Sequence, residues 1–380
     1  MKPPFADFLR AGAIAAVCIL IALSRPIGIY DDGPVYWFQF PLSAGLLTTA
    51  AIGSVVGEYW IRRRYDPRVW AFLGSALLLV GAAALIVLPT DELQLGSNAS
   101  GFWFALAGIA FLAWSVMDHL ASMSGSRWVG FFVPLIFGLM LVYLWQAIVV
   151  GFAVPKVLLP APTEIASALW RGTETLAGDF QQTFLKAVLA GFILGNIVGF
   201  ATALLADRVP FIQRGLLPLG NFASAVPIVG IAPIMVMWFG FGWESKTAVI
   251  VFMIFFPMLV NALAGLNAAD RMSLDLMRSY GASYGQTLIK LRLPMALPFL
   301  FNALKINSTL ALIGAIVSEF FGSPTAGMGF RISVEAARMG LDMVWATIAV
   351  AAVAGSAFYG ILALLERAFT FWHPSYRAQN

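Results

Sequence analysis

The chain has 380 residues, 60% of them hydrophobic and 11% charged, with a formal net charge of +4 and a mean hydropathy of +0.86. Soluble domains carry roughly 25% charged and 45–50% apolar residues, so 23 basic and 19 acidic side chains cannot coat a water-soluble protein of this size. The same numbers exclude a disordered chain and point to a polytopic membrane protein. The single cysteine, Cys18, rules out a disulfide framework or a thiolate metal cluster. The two histidines, His119 and His373, leave little for a histidine metal site.

A membrane helix needs about 20 mostly apolar residues, and ten stretches qualify: 8–24, 35–57, 69–89, 101–117, 129–152, 184–206, 222–240, 247–266, 297–320 and 344–365. The alternation a β-barrel requires is absent, so the expected fold is all-α with about ten transmembrane helices. The first stretch also has features of a signal peptide, with Lys2 and Arg10 before the apolar run 11–23. Arg25-Pro26 directly after its small-residue site argues for retention. With the N-terminus cytoplasmic, 15 of the 23 Lys and Arg residues face the cytoplasm and 7 face outward, with Lys305 inside a span. That asymmetry puts both termini on the cytoplasmic side. It reads as topology rather than nucleic-acid binding.

Residues 1–128 form an extension of about four spans joined by short loops. Its one charge cluster, Arg62-Arg63-Arg64 with Arg68, is read as a topology anchor, with anionic-lipid contact as the sharper alternative. From Val129 onward, about six spans are expected. An outward segment, 153–183, carries Pro155, Pro160 and Pro162 and then a short surface helix from Thr163. Gly191, Gly195 and Gly199 share one helix face and allow close approach. Packing within the subunit is favoured over a dimer seam.

The segment 267–294 is too polar to span and too apolar to be a solvated linker. Leu274, Met277, Leu288, Ile289 and Leu291 suggest two short amphipathic helices broken at Gly281. Such an element either enters a groove on a partner or packs as a hairpin on its own protein. Pro227 and Pro233 free backbone carbonyls in mid-membrane, at a substrate path or a packing kink. Asn261, Asn302, Asn307 and Ser308 line a polar cavity or join helices, and Lys305 and Glu319 are intramembrane charges. Lys305 can also snorkel to the inner surface. The stretch Gly240–Thr247 is a near miss to a phosphate-binding loop and lacks the glycine before Lys246. Asp118-His119 has no nucleophile or third ligand beside it, so no enzyme site is expected.

The 267–294 segment resembles the cytoplasmic loop of permeases of binding-protein-dependent ABC importers. That loop reads Glu-Ala-Ala, three residues, Gly, nine residues, Ile-x-Leu-Pro. Here Asp275-Leu276-Met277 is followed by Gly281-Ala282 and Leu291-Arg292-Leu293-Pro294 at the same spacing, with Leu276-Met277 replacing the small pair. The nitrate/sulfonate/taurine branch, which includes permeases for pyrimidine vitamin precursors, is further resembled at 159–165, 226–242, 314–320 and 327–329.

The resemblance covers about 129–380, and 1–128 match nothing in it. It implies a type I importer permease in the bacterial plasma (inner) membrane that binds no cofactor and leaves ATP to partner subunits. It implies cytoplasmic ABC ATPases, a periplasmic or lipid-anchored substrate-binding protein, a second copy of the chain and membrane lipid as partners. Asp275, Leu276, Met277, Gly281, Ala282, Leu291, Leu293 and Pro294 would couple to the ATPase, with Pro294 restarting a span. Pro227, Pro233, Asn261, Asn302, Asn307 and Glu319 would line the path. The competing class is a stand-alone secondary transporter driven by an ion gradient.

Overall fold

The computed structural model describes residues 5–30, 33–62, 67–88, 95–96, 98–122, 129–209, 211–216, 218, 226–322 and 326–372. His373, Arg63 and Arg64 and the start of the seventh expected span lie outside these residues. Six helices are long and apolar enough to cross a membrane, and four shorter apolar helices fall in the remaining expected stretches. The chain divides into two compact units, 1–164 and 165–380.

The first unit contains α1 (Phe5–Leu23), α2 (Pro41–Arg62), α3 (Pro67–Ile86), α4 (Ser100–Ser122) and α5 (Val129–Gly151). Its core is built from Ile19 of α1, Leu47 of α2, and Phe102 and Ile109 of α4. Gly108 lets α1 lie close on α4, since a Cβ there would stand 2.6 Å from Ile19 Cγ1. The α5 helix joins the same core through Met140 and Ala147, and its Tyr143 hydroxyl donates to the Ala82 carbonyl at 3.1 Å.

One expectation fails here. The second span does not begin at Val35. Instead Pro26–Tyr30 (β1) and Gly33–Tyr36 (β2) pair antiparallel, with Ile29 opposite Pro34 and Tyr30 opposite Gly33. Gly28, Gly33 and Pro34 oppose helix, while the β-branched Ile27, Ile29 and Val35 suit a pleated surface. Ile27, Val35 and the following Trp37 are buried in the helical core, so the hairpin closes the end of the bundle rather than spanning.

In the second unit, α6 (Pro162–Arg171) starts at the unit boundary, as the Thr163 signal predicts. The next span starts earlier than expected, because α7 is one helix over Thr173–Arg208 with a π-helical stretch at Gln181–Val188. Then follow α8 (Ile228–Phe239), α9 (Trp243–Leu266) and α10 (Arg271–Ser279). The continuous α11 (Tyr284–Phe321), α12 (Met328–Ala337) and α13 (Leu341–Phe369) complete the unit.

The α9 helix is the hub, packed between α7 and α11, with Ile250, Ile254 and Leu259 fully buried. Gly191, Gly195 and Gly199 all face it, so the glycine stripe packs within the subunit. A Cβ would stand 2.6 Å from Ile250 at Gly191, 2.5 Å from Ile254 at Gly195, and 2.8 Å from the Phe255 carbonyl at Gly199. Phe184 and Phe192 of α7 pack edge-on against Phe358 of α13, closing the opposite side. Replacing Gly195 by Leu should lower stability by about 1–3 kcal/mol through overpacking. Gly178→Ala, with nothing within 4 Å of the added carbon, should change it little. Thermal unfolding of the detergent-solubilised protein separates the two.

Candidate coupling element and polar helix contacts

The 267–294 segment folds because its ends are capped. The Asp270 carboxylate accepts from the Ser273 hydroxyl at 2.7 Å and from the Met272 and Ser273 amides at 2.9 and 3.1 Å, starting α10. At the other end Gly281 has φ +68°, with its N–H on the Arg278 carbonyl and the Ala282 N–H on Met277. That is a Schellman ending, which needs the left-handed conformation glycine adopts without strain. Ser283 and Gln286 then form a capping box that starts α11. Gly281 is therefore the break between two helices, at the predicted residue.

Two expectations about this segment change. The second piece is not a separate short helix, because α11 runs unbroken from Tyr284 through a π-helical stretch at Leu288–Arg292 into the span. Pro294 thus lies within a continuing helix rather than restarting one. Leu293 and Leu291 are half-buried beside it. The exposed apolar residues match the expectation only in part: Ile289 is 66% exposed, but others expected on that face are not. Leu274 and Met277 are half-buried, and Met272, Leu276 and Tyr280, four residues apart in turn, face outward at 80%, 57% and 82% exposure. Asp275 lies on the surface, 3.3 Å from Arg278.

Where α7 and α9 end and α11 begins, Arg292 of α11 meets the other two. Arg292 grips Asp207 with two nitrogens, at 2.8 and 2.6 Å, and its Nε donates to the Leu266 carbonyl at 2.9 Å. Tyr284 donates to the same carboxylate at 2.7 Å, and the Arg208 guanidinium lies over its ring. Nothing in the spacing of 267–294 pointed to Asp207, which lies 85 positions away from Arg292.

Further along, the candidate path residues separate into two groups. Asn307 is fully buried and donates to Asn196 Oδ1 at 2.6 Å and to the Ile254 carbonyl at 3.1 Å. Glu319 is 1% exposed and accepts from the Thr183 hydroxyl and the Gly329 amide. Asp179 beside it binds Arg331 at 2.8 Å and the Gly327 amide. These residues hold α7, α11 and the start of α12 together. Asn302, by contrast, is exposed and donates to the half-buried Asn261 at 3.2 Å. Pro233 lies inside α8 and Pro227 caps it, both exposed, so Pro227 frees no helical carbonyl, contrary to expectation. Lys305 does not snorkel. It binds Glu366 of α13 at 2.6 Å in a largely buried pair.

Removing one member of a buried pair strands the other charge. Glu366→Gln should cost about 3 kcal/mol of stability, and the double change Lys305→Met/Glu366→Leu should recover most of it, read by unfolding of the purified protein. A second expectation concerns acid. The Ser273 hydroxyl and two amides hold the Asp270 carboxyl below its ordinary range. Its capping is complete above the free Asp value of about 3.9 and is lost as pH falls through the lower folded value. The protection of the Met272 and Ser273 amides against hydrogen exchange, relative to their intrinsic rates, should therefore fall on acidification, and Asp270→Asn should remove that dependence.

The family profile described as "Binding-protein-dependent transport system inner membrane component" matches residues 191–371, which covers α8 to α13 and the second half of α7. A Haemophilus influenzae protein described as "Probable ABC transporter permease protein" is 34% identical over 57% of this chain and 87% of its own length. The Riboflavin transport system permease protein RibX of Chloroflexus aurantiacus is 28% identical over 68% of this chain and 97% of its own. The Formylaminopyrimidine transport permease protein ThiX of Halalkalibacterium halodurans is 32% identical over 52% and 78%. Further relatives carry names for aliphatic sulfonates, taurine and bicarbonate. The chain belongs to the inner-membrane permease components of binding-protein-dependent ABC transporters.

Proposed function

We propose that this chain is the transmembrane subunit of an ATP-driven importer in the bacterial inner membrane, with both termini cytoplasmic. Residues 129–380 form the permease domain and 1–128 an added membrane extension. The permease pairs with a second copy, two cytoplasmic ATPases and a periplasmic or lipid-anchored binding protein. It carries a small anion such as a sulfonate, or a pyrimidine vitamin precursor. The spread of names among its relatives supports that range. The binding protein makes the final selection.

One observation carries the coupling role. On α10, Met272, Leu276 and Tyr280 present an exposed apolar stripe that packs on nothing among the described residues, on a helix capped at both ends. In water such a stripe is costly unless it docks, and a short helix with that face suits a groove on a partner. Asn261, Asn302, Pro227 and Pro233 keep the path assignment, because they remain partly open. Asn307 and Glu319, sealed between helices, serve packing instead.

The ATPase supplies hydrolysis, and the helix pair hinged at Gly281 passes the motion to the spans. In the complex with its ATPase, Leu276→Arg should abolish co-purification and stimulated hydrolysis while leaving the solubilised permease as stable as the parent. Gly281→Ala, which forces a left-handed alanine at about 1–2 kcal/mol, should reduce stimulation more mildly. Normal stimulation by a folded Leu276→Arg variant would overturn the assignment. Uptake by liposomes containing this chain alone and driven by an ion gradient would instead establish a secondary transporter.

A further inference from the structure

We propose that the Arg292–Asp207 ion pair, with Tyr284 on the same carboxylate, is the joint that fastens the coupling element to the transmembrane helices. The inference rests on the coupling role proposed above and says how that element is held. Without such a joint, movement of α10 would rock the start of α11 about its π-helical stretch instead of reaching α7 and α9.

The rest of the segment is poorly anchored. The α10 helix has no buried residue, and its Asp275–Arg278 pair is 70–80% exposed. Exposed pairs of that kind contribute little. The Asp270 cap and the Schellman ending are internal to the segment and tie it to nothing else. Arg292 and Tyr284 differ. Their side chains reach the last turn of α7 through Asp207, and Arg292 reaches the last carbonyl of α9 at Leu266. The pair is largely buried, with side-chain exposures of 14% for Arg292 and 6% for Asp207. A bidentate guanidinium–carboxylate contact fixes angle as well as distance. Tyr284 holds the first residue of α11 and Arg292 a residue two turns later, so the beginning of that helix cannot pivot about either contact alone.

The joint is also the first of three polar contacts between α7 and α11. Asn196–Asn307 and Thr183–Glu319 follow at successive levels toward the other end of the helices. Between them α9 packs on both, at the glycine seam of α7. Displacement delivered at Asp207 and Arg292 therefore enters a body already tied along its length. It arrives at Glu319, where the Gly329 amide and the start of α12 are bound.

Two readouts test the joint. In a Cys18→Ser background, spin labels at Arg271→Cys on α10 and Ala201→Cys on α7, both exposed positions, report how tightly the two are held. The parent should give one narrow distance distribution. Asp207→Asn and Arg292→Lys should broaden it and add a longer component, and the swapped pair D207R/R292D should narrow it again. An unchanged width in both single variants would overturn the proposal. In the ATPase complex, the same single variants should still co-purify but lose roughly 2- to 30-fold in stimulated hydrolysis, the range typical of lost coupling. Full stimulation would equally overturn it.

Leu276→Arg separates the two ideas, since it should abolish association while leaving the distance narrow. Failure of that variant to affect the ATPase would remove the coupling role, whereas the spin-label width judges the joint by itself. If Asp207→Asn does not fold, Tyr284→Phe removes a single hydrogen bond and should shift both readouts less, in the same direction. No shift from it, with Arg292→Lys also silent, would count against the joint.

Discussion

Hydrocarbon offers no hydrogen bonds, and the polar side chains of the second unit are arranged under that constraint. A polar group left alone there costs several kcal/mol, and several of the rare ones are paired across helices. Asn307 finds Asn196, Lys305 finds Glu366, and Glu319 finds Thr183. The apolar surfaces that dominate the composition give helices no reason to choose one another in lipid, because acyl chains are equally apolar. Choice comes from the close approach allowed by Gly191, Gly195 and Gly199 and from these few polar contacts. The scarcity of charge is what makes each charged residue specific.

Much of the architecture was legible from the amino acids. The apolar stretches became helices, the glycine stripe became a packing seam, and the break at Gly281 fell where the loop motif placed it. These succeeded because they depend on local signals: run length, a repeat of small residues, and a residue able to take positive φ. The failures have physical causes too. The end of β2 falls within the expected span 35–57, since Val35 and Trp37 are as apolar as a membrane helix and only the packing of the first unit reveals their burial. Pro294 was read as a helix start, although proline is tolerated within a helix where a wide π turn precedes it. Intramembrane charge marked Glu319 as a path residue. Its partners, Thr183 136 positions away and the Gly329 amide 10 positions away, show it tied between helices. Asp207 escaped notice because an acidic residue at a helix end near the membrane surface is unremarkable until its counter-ion is known.

The division of the chain follows a different logic from the family match. The profile begins at 191, within α7, while packing breaks at 164/165 and groups α5 with the helices before it. A relative that aligns over 97% of its own length uses 68% of this one. The unit 1–164 has its own core around Ile19, Ile27, Trp37 and Ile109, which Met140 and Ala147 of α5 share. It is thus a folded body with an interior of its own, and the hairpin holds the one strand pairing among the described residues.

The π-helical stretch at Leu288–Arg292 sets an angle. Each residue of a regular helix turns the chain by about 100°, and a π turn holds one residue more than its neighbours without advancing the rest of the helix. The extra residue points the Arg292 guanidinium at Asp207 while Asn307 and Glu319, farther along the same rod, still face α7. The fixed count of residues between Gly281 and Pro294 therefore works as a phase setting. Lengthening or shortening it by one would leave every side chain intact and turn α10 to a different quarter of the compass.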